Sequence, residues 1–386
     1  MSIQAYNEQK KELQNNLLAY IENESNDTSN LETLINCIES QKILEDQGEF
    51  RELLKLISKI FKNHHRNSSF IQKNEELLSR LSGQIKQTFS NSDIFEIFKN
   101  NKRLLLYLIQ NQIIQIDKSI ADSIIMKCEE KYFYPEIKPL ISEKEGEDIK
   151  NSLLEIDSEI FDTFEKNRQT GENESIICEL IRNDSVEEFI SYVTKVNFDL
   201  NYSIKPSIFE TNSFLIGKNP KLIEYSAFYG SIQILQFLSR NKIELKPSLW
   251  LYAIHSNDAD MIHFLEQNQI SPSDSSYEEC IHESIKCHHN DIAAYIHENY
   301  LDKSAEEENL NEKYNSNVLY YSFRYYNYSF FPDDFGNKFI ILYLCQFNYH
   351  KLVFLLLDSM TVNVNITTIS NQLIINDYIS NQFFFV

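Results

Sequence analysis

Glycine and proline are scarce: the 386 residues contain only seven of each. Average usage would place about 27 glycines and about 19 prolines in a chain of this length. Folds that turn sharply at every strand or crossover need such residues at their turns. Rossmann, TIM-barrel, β-sandwich and propeller architectures are therefore disfavoured, and a helical chain is expected. The glycines run from Gly48 to Gly336, too dispersed to cradle a phosphate. Hydrophobic residues make up 42% of the chain, which supports a folded core.

Lys and Arg number 36 against 57 Asp and Glu, a formal charge of −21. Phosphate would be repelled over most of such a surface, so nucleic acid is not an expected partner. A basic protein surface is. Residues Met1 to Glu8 carry no basic start and no apolar stretch, so no secretory signal is expected. The apolar runs 339–344 and 352–357 fall well short of the ~20 residues of a membrane span. Cys37, Cys128, Cys178, Cys280, Cys287 and Cys345 are scattered without a C-x-x-C pair, as expected of reduced, mostly buried thiols in the cytoplasm or nucleus. Asn-x-Ser triplets such as Asn201-Tyr202-Ser203 carry no meaning without a secretory route.

Residues 1–130 read as a helical region. Leu13, Leu17, Leu18 and Ile21 recur at helical spacing, as do Leu31, Leu34, Ile35 and Ile38, then Phe50, Leu53, Leu54, Ile57, Ile60 and Phe61. Breaks are expected at 23–30, 63–69 and 90–93, the last supplying an N-cap for the helix at Ile94. Residues 131–171 are acidic and interrupted by Pro135 and Pro139, a connecting region of short helices with a turn at Gly171.

From 172 to 386 the chain becomes self-similar. With Gly230 as origin, Ile234, Leu235, Phe237 and Leu238 lie at +4, +5, +7 and +8. With Asn257 as origin the same places hold Met261, Ile262, Phe264 and Leu265; with Asn348 they hold Leu352, Val353, Leu355 and Leu356. Asp184 and Asn290 give weaker copies, and a degenerate one is expected around Asn327. The origin is Gly, Asn or Asp, the residues that best tolerate the left-handed conformation ending a helix. Pro220 and Pro247 lie ten residues before two of these origins, suited to a helix start. Each unit reads as helix, tight turn, helix, spaced unevenly around the ~33-residue ankyrin period. The expected fold is all-α: a helical-hairpin solenoid of degenerate ankyrin-like repeats behind a helical N-terminal region, stabilised by stacking of neighbours. Asn101, with Leu105, Leu106, Leu108 and Ile109 following, fits the same template, so the N-terminal region itself reads as eroded repeats.

The segments Phe89–Lys99, Pro247–His255 and Glu283–Asp291, with Lys62–Arg66 and Leu222–Tyr225, resemble a large protozoan family that joins a domain of unknown function to ankyrin repeats. The resemblance spans about residue 10 to about residue 365. It implies ankyrin-like architecture, a presumed protein-binding role and no established enzymatic activity. The chain departs from regular ankyrin units in lacking Thr-Pro-Leu-His at the first helix, so apolar stacking is expected to replace that polar network. Related chains continue into more regular repeats, whereas this one closes on Phe383-Phe384-Phe385-Val386. Val362-Asn363-Val364-Asn365 resembles a repeat-closing loop, so either the apolar tail folds back or a following unit is truncated.

Catalytic signatures are missing: there is no Gly-x-Ser-x-Gly and no His-Glu-x-x-His. Cys280, His282, Cys287, His288 and His289 offer a weak metal-ligand set with no finger-like spacing, weighed against a core thiol and helix-ending imidazoles. His64 and His65 read the same way; His255 and His263 read as half-buried structural residues. Trp250 stands where a core Leu is usual. Tyr320, Tyr325, Tyr326 and Tyr328, with Tyr321, are either a wide aromatic core or a partner-facing patch. The function expected is non-enzymatic protein binding through a concave face and loop tips, without a cofactor. The alternatives are a metal-binding or enzymatic protein built on the Cys280–His289 cluster, and a module that self-associates or docks onto other repeat proteins.

Overall fold

Apolar residues at helical spacing form helices through most of the described residues. The computed structural model describes residues 1–25, 28–273, 276–300, 308–335 and 338–358. The helices are α1 (Ile3–Glu22), α2 (Ser29–Ser40), α3 (Gln47–Asn63), α4 (Phe70–Thr88), α5 (Asn91–Phe98), α6 (Lys102–Gln110), α7 (Lys118–Met126), α8 (Tyr134–Ile137), α9 (Glu143–Leu154), α10 (Ile160–Thr170), α11 (Ile176–Arg182), α12 (Val186–Lys195), α13 (Leu222–Tyr229), α14 (Ile232–Arg240), α15 (Leu249–His255), α16 (Ala259–Gln267), α17 (Glu278–Cys287), α18 (Asn290–Tyr300), α19 (Glu308–Tyr325), α20 (Lys338–Gln346) and α21 (His350–Asp358). Among the described residues there is no strand, only one isolated bridge between Ser203 and Lys221. None of these helices is long and apolar enough to cross a membrane. The breaks after α1 and α3 fall where the sequence places them; the break after α4 comes earlier than 90–93, because Ser90 closes a capping box with Asp93 and α5 starts at Asn91. Residues 359–386, which include Val362–Asn365 and the Phe383–Val386 tail, lie outside the described residues.

The chain folds as two units, one comprising Met1–Ile60, Arg66–Asn74 and the described residues from Ser276 on, the other Phe61–His65 and Glu75–Ser275. They divide the chain at other points than the composition shifts at 130 and 171.

In the second unit, α11 packs with α12, α13 with α14 and α15 with α16; α13 also lies against both α11 and α15, and α12 against α14. The segment 131–171 is more than a connector. Arg168 of α10 is buried and pairs with Glu136 at 2.6 Å and with Glu165. Its Nη1 also donates to Tyr132 O at 3.1 Å, while the Tyr132 hydroxyl donates to Arg168 O at 2.9 Å. Gly171 ends α10 at φ 70°, and its carbonyl accepts from Thr211 N and Oγ1.

In the first unit, α1 packs on α2, on α21 and on the turn 328–330; α17 packs on α18 and α19, α19 on α20, and α20 on α21. The buried face of α1 is not wholly apolar: Lys10 and Gln14 are interleaved with Leu13, Leu17 and Ile21. Gln14 donates to Asn327 Oδ1 at 3.0 Å and accepts from Tyr328 N at 2.6 Å. Asn327 in turn donates to Ile285 O at 2.9 Å and Asn290 Oδ1 at 2.8 Å. These bonds satisfy polar groups that would otherwise be costly to bury.

Candidate interaction surface

One backbone device ends the first helix of each pair. Asp184, Gly230, Asn257, His288, Tyr326 and Asn348 have positive φ, between 44° and 74°. Each donates its N–H to the carbonyl three residues back, namely Ile181, Ala227, Ile254, Ile285, Phe323 and Cys345. Except after Asn257, the next N–H reaches one carbonyl further back, as in Ser231 to Ser226 and Tyr349 to Leu344. This is the Schellman closure of a helix.

Asp184, Gly230, Asn257 and Asn348 stand where the sequence places them. Asn290 does not: it opens α18, and His288 closes α17. Counting from His288 puts Ile292, Ala293, Tyr295 and Ile296 at +4, +5, +7 and +8, and all but Tyr295 are buried. Histidine enters the left-handed region more readily than most residues. In the same way Tyr326, not Asn327, closes α19. Asn101 is not a left-handed turn either: at φ −134° its side chain caps α6 by accepting from Leu104 N. Pro220 and Pro247 precede the N-caps Lys221 and Ser248 and do not enter the first turn.

The pairs of the second unit are also joined by polar bonds. The Asp184 carboxylate accepts from Gln233 N at 3.1 Å and Ile234 N at 3.0 Å, where α14 begins. A negative charge is favourable at a helix N-terminus. Ser231 Oγ donates to Ile181 O, and Ser248 Oγ donates to Glu224 Oε1 at 2.7 Å. Pair-to-pair hydrogen bonds thus exist, carried by Asp and Ser at other positions than the missing ankyrin His.

The first-helix stripe is not open. Tyr225 and Phe228 of α13 occupy places equivalent to Tyr252 and His255 of α15, five and two residues before the left-handed turn. Phe214 lies against Phe228, Tyr252 and His255. Its ring stacks on Phe228 at 5.8 Å, meets Tyr252 edge-on at 5.0 Å and lies 4.2 Å from His255. Lys218 Nζ sits 3.1 Å from the centre of the Phe214 ring. The segment 203–218 therefore covers part of the face expected to meet a partner as a concave surface. The tips at Asn197, Asn241, Lys242 and Gln269 remain exposed. Sequence reading missed this clasp, although the long gap between Asp184 and Gly230 and the apolar run Phe214-Leu215-Ile216 within it were available signals.

Trp250 is core: it is buried and its Nε1 donates to Ile270 O at 2.8 Å. His255 is buried against Phe214 and Phe228, whereas His263 is exposed near Glu266. His64 is buried, and His65 Nδ1 lies 3.2 Å from His255 O. All six cysteines are free and all but Cys128 are buried; burial pushes the Cys178 and Cys345 thiols up to about 11, away from reactive thiolate.

In the first unit, Tyr326 and Tyr328 are buried, and the Tyr326 hydroxyl donates to Phe347 O at 2.8 Å. Burial removes these two from any partner-facing patch; Tyr320 and Tyr325 are half-buried. Cys280, His282, Cys287 and His288 do not bring their ligand atoms together, because α17 spreads them along and around its axis. His282 stacks on Tyr321 at 4.4 Å, and burial lowers its imidazole below its ordinary value.

This unit also holds a cleft of about 340 Å³, lined by Asp46, Glu49, Arg51, His350, Lys351 and Phe354 among others. Its carboxylates are committed. Asp46 Oδ1 caps α3 by accepting from Gly48 N at 2.8 Å and Glu49 N at 3.1 Å. Glu49 is paired with Lys10 and accepts from the Tyr6 hydroxyl at 2.7 Å. Nearby Glu52 is fully buried, close to the buried Tyr328. Burial pushes its carboxyl up to about 8, with Lys10 opposing that rise and Glu49 adding to it. Burial, then Lys55 and Arg51, lower His350. The lining offers neither Ser, Thr nor Cys as a nucleophile.

No protein-family model, curated protein or solved structure matches this chain.

Proposed function

We propose that the chain is a non-enzymatic protein-binding module, a degenerate ankyrin-like solenoid of the kind its motifs resemble. The observation that carries this reading is the stacking of α11, α13 and α15, each followed by the same left-handed turn and a second apolar-faced helix. Such arrays present loop tips and helix faces as extended recognition surfaces. Because Phe214 covers part of the first-helix stripe, at α13 and α15, the tips after the second helices are the surface this reading assigns to a partner. The partner is a protein with a basic face, matched to the charge of −21.

The test is site-specific photo-crosslinking of the full-length protein in extract of the cells that make it. The photoreactive residue replaces Asn241 or Gln269 at two tips, and Gly83 in α4 as control. One protein crosslinked from both tips and not from Gly83 supports the reading. Identical products from all three positions, or none, rejects it.

A further inference from the structure

The turn joining α9 to α10 exposes an unusual share of apolar surface. Leu154, Ile156 and Phe161 are 36%, 50% and 39% exposed, all within eight residues. Single exposed apolar residues are ordinary; three on one turn are not. The turn is firmly built. Leu153 and Ile160 anchor it in the core, and Asp157 N donates to Leu153 O at 3.3 Å and Ile160 N to Asp157 O at 3.2 Å. Asp157 Oδ1 accepts from Glu159 N at 2.9 Å. Phe161 is braced from within by Phe164 at 5.7 Å and Tyr134 at 6.3 Å. A surface already held in shape loses little freedom on binding.

The charges along this stretch of chain are acidic, with Lys138 over the Tyr134 ring at 5.7 Å as a nearby counter-charge. Glu155, Asp157, Glu159 and Asp162 are exposed, and no Lys or Arg occurs between Lys150 and Lys166. An anionic lipid surface would be repelled by this rim. A second copy would set acid against acid. A helix with an apolar stripe flanked by Lys and Arg satisfies both features at once. We propose that residues 154–162 form a docking knob for a basic amphipathic helix of another protein. The site lies outside the helical pairs and stands independently of their reading as repeats.

The test uses the full-length protein and a fluorescent synthetic Leu/Lys amphipathic peptide, with a Leu/Glu peptide of the same pattern as control, followed by anisotropy. The Leu/Lys peptide binds and weakens as salt is raised; the Leu/Glu peptide does not bind. Ile156→Asp weakens binding by about tenfold or more, as does Glu155→Lys combined with Glu159→Lys. The pair Glu187→Lys and Glu188→Lys, on the exposed face of α12, leaves it unchanged. Circular dichroism shows that each variant is folded. Absence of binding, equal weakening by the α12 pair, or full affinity of Ile156→Asp overturns the proposal. So does a dimer, seen by sedimentation, that Ile156→Asp dissolves, since the occupant is then a second copy.

Discussion

Lys10 of α1 and Glu49 of α3 form an ion pair sealed inside the first unit, their side chains 2% and 9% exposed. The Tyr6 hydroxyl binds the other oxygen of Glu49. Burying two charges gains little by itself, but losing one partner leaves the other uncompensated in a poor solvent for ions. Lys10→Met should therefore lower stability by about 3–5 kcal/mol in urea denaturation. Adding Glu49→Leu should recover most of that loss. Equal instability of single and double variants would mean that the pair is not the cause.

Glu52 makes the same unit pH-sensitive. Its carboxyl is raised from an ordinary 4.5 to about 8. Below pH 4.5 the group is protonated whether folded or unfolded. Between 4.5 and 8 the unfolded chain releases the proton and the folded one keeps it, so stability falls as pH rises. Above 8 the penalty is complete. Glu52→Gln should match the wild type near pH 4 and exceed it by a few kcal/mol at pH 8.5. Thermal melts across that range check this.

Three glycine-to-alanine changes should rank by geometry. At Gly171, φ is +70° and an added Cβ would meet Thr211 Oγ1 at 2.9 Å, so strain and contact combine. At Gly230, φ is +74° but the nearest atom is 3.5 Å away, leaving the backbone cost of about 1–2 kcal/mol. Gly83 lies within α4 with nothing inside 4 Å, so alanine should stabilise by about 1 kcal/mol. Denaturant midpoints should fall in the order Gly83→Ala, wild type, Gly230→Ala, Gly171→Ala.

Phe214→Ala removes the ring that clasps α13 to α15. A buried Phe cut to Ala costs about 3–5 kcal/mol. Binding of an apolar dye should rise as Phe228 and Tyr252 are uncovered. A variant with unchanged melting temperature and no dye signal would show that the clasp is dispensable.

The elements were legible in the sequence where one local rule set them. Apolar stripes at helical spacing gave helices, and Gly230, Asn257, Asn348 and Asp184 marked turns because their side chains tolerate positive φ. His288 and Tyr326 hold the same conformation; histidine tolerates it better than most residues, whereas tyrosine gives no such local signal. Lys10 and Gln14 share a face with Leu13, Leu17 and Ile21, but their partners Glu49 and Asn327 lie 39 and 313 positions away and nothing local announces them. Arg168 was hidden in the same way, one of several basic residues in an acidic stretch, yet the one that is buried against Glu136. The covering of α13 and α15 was not legible, because Phe214 acts across the fold.

The first unit is assembled from segments before Asn74 and after Ser276, with most of the second unit encoded between them. A ribosome adding roughly 5–20 residues per second needs about 10–40 s to cover that distance. Throughout that interval the apolar face of α1 has left the tunnel before α21 and the 328–330 turn exist to cover it, whereas the second unit can close as soon as it emerges. The newborn chain thus carries, through much of its synthesis, a helix covered only by its early neighbours such as α2, a natural substrate for a chaperone that shields apolar surface until the last pairs arrive.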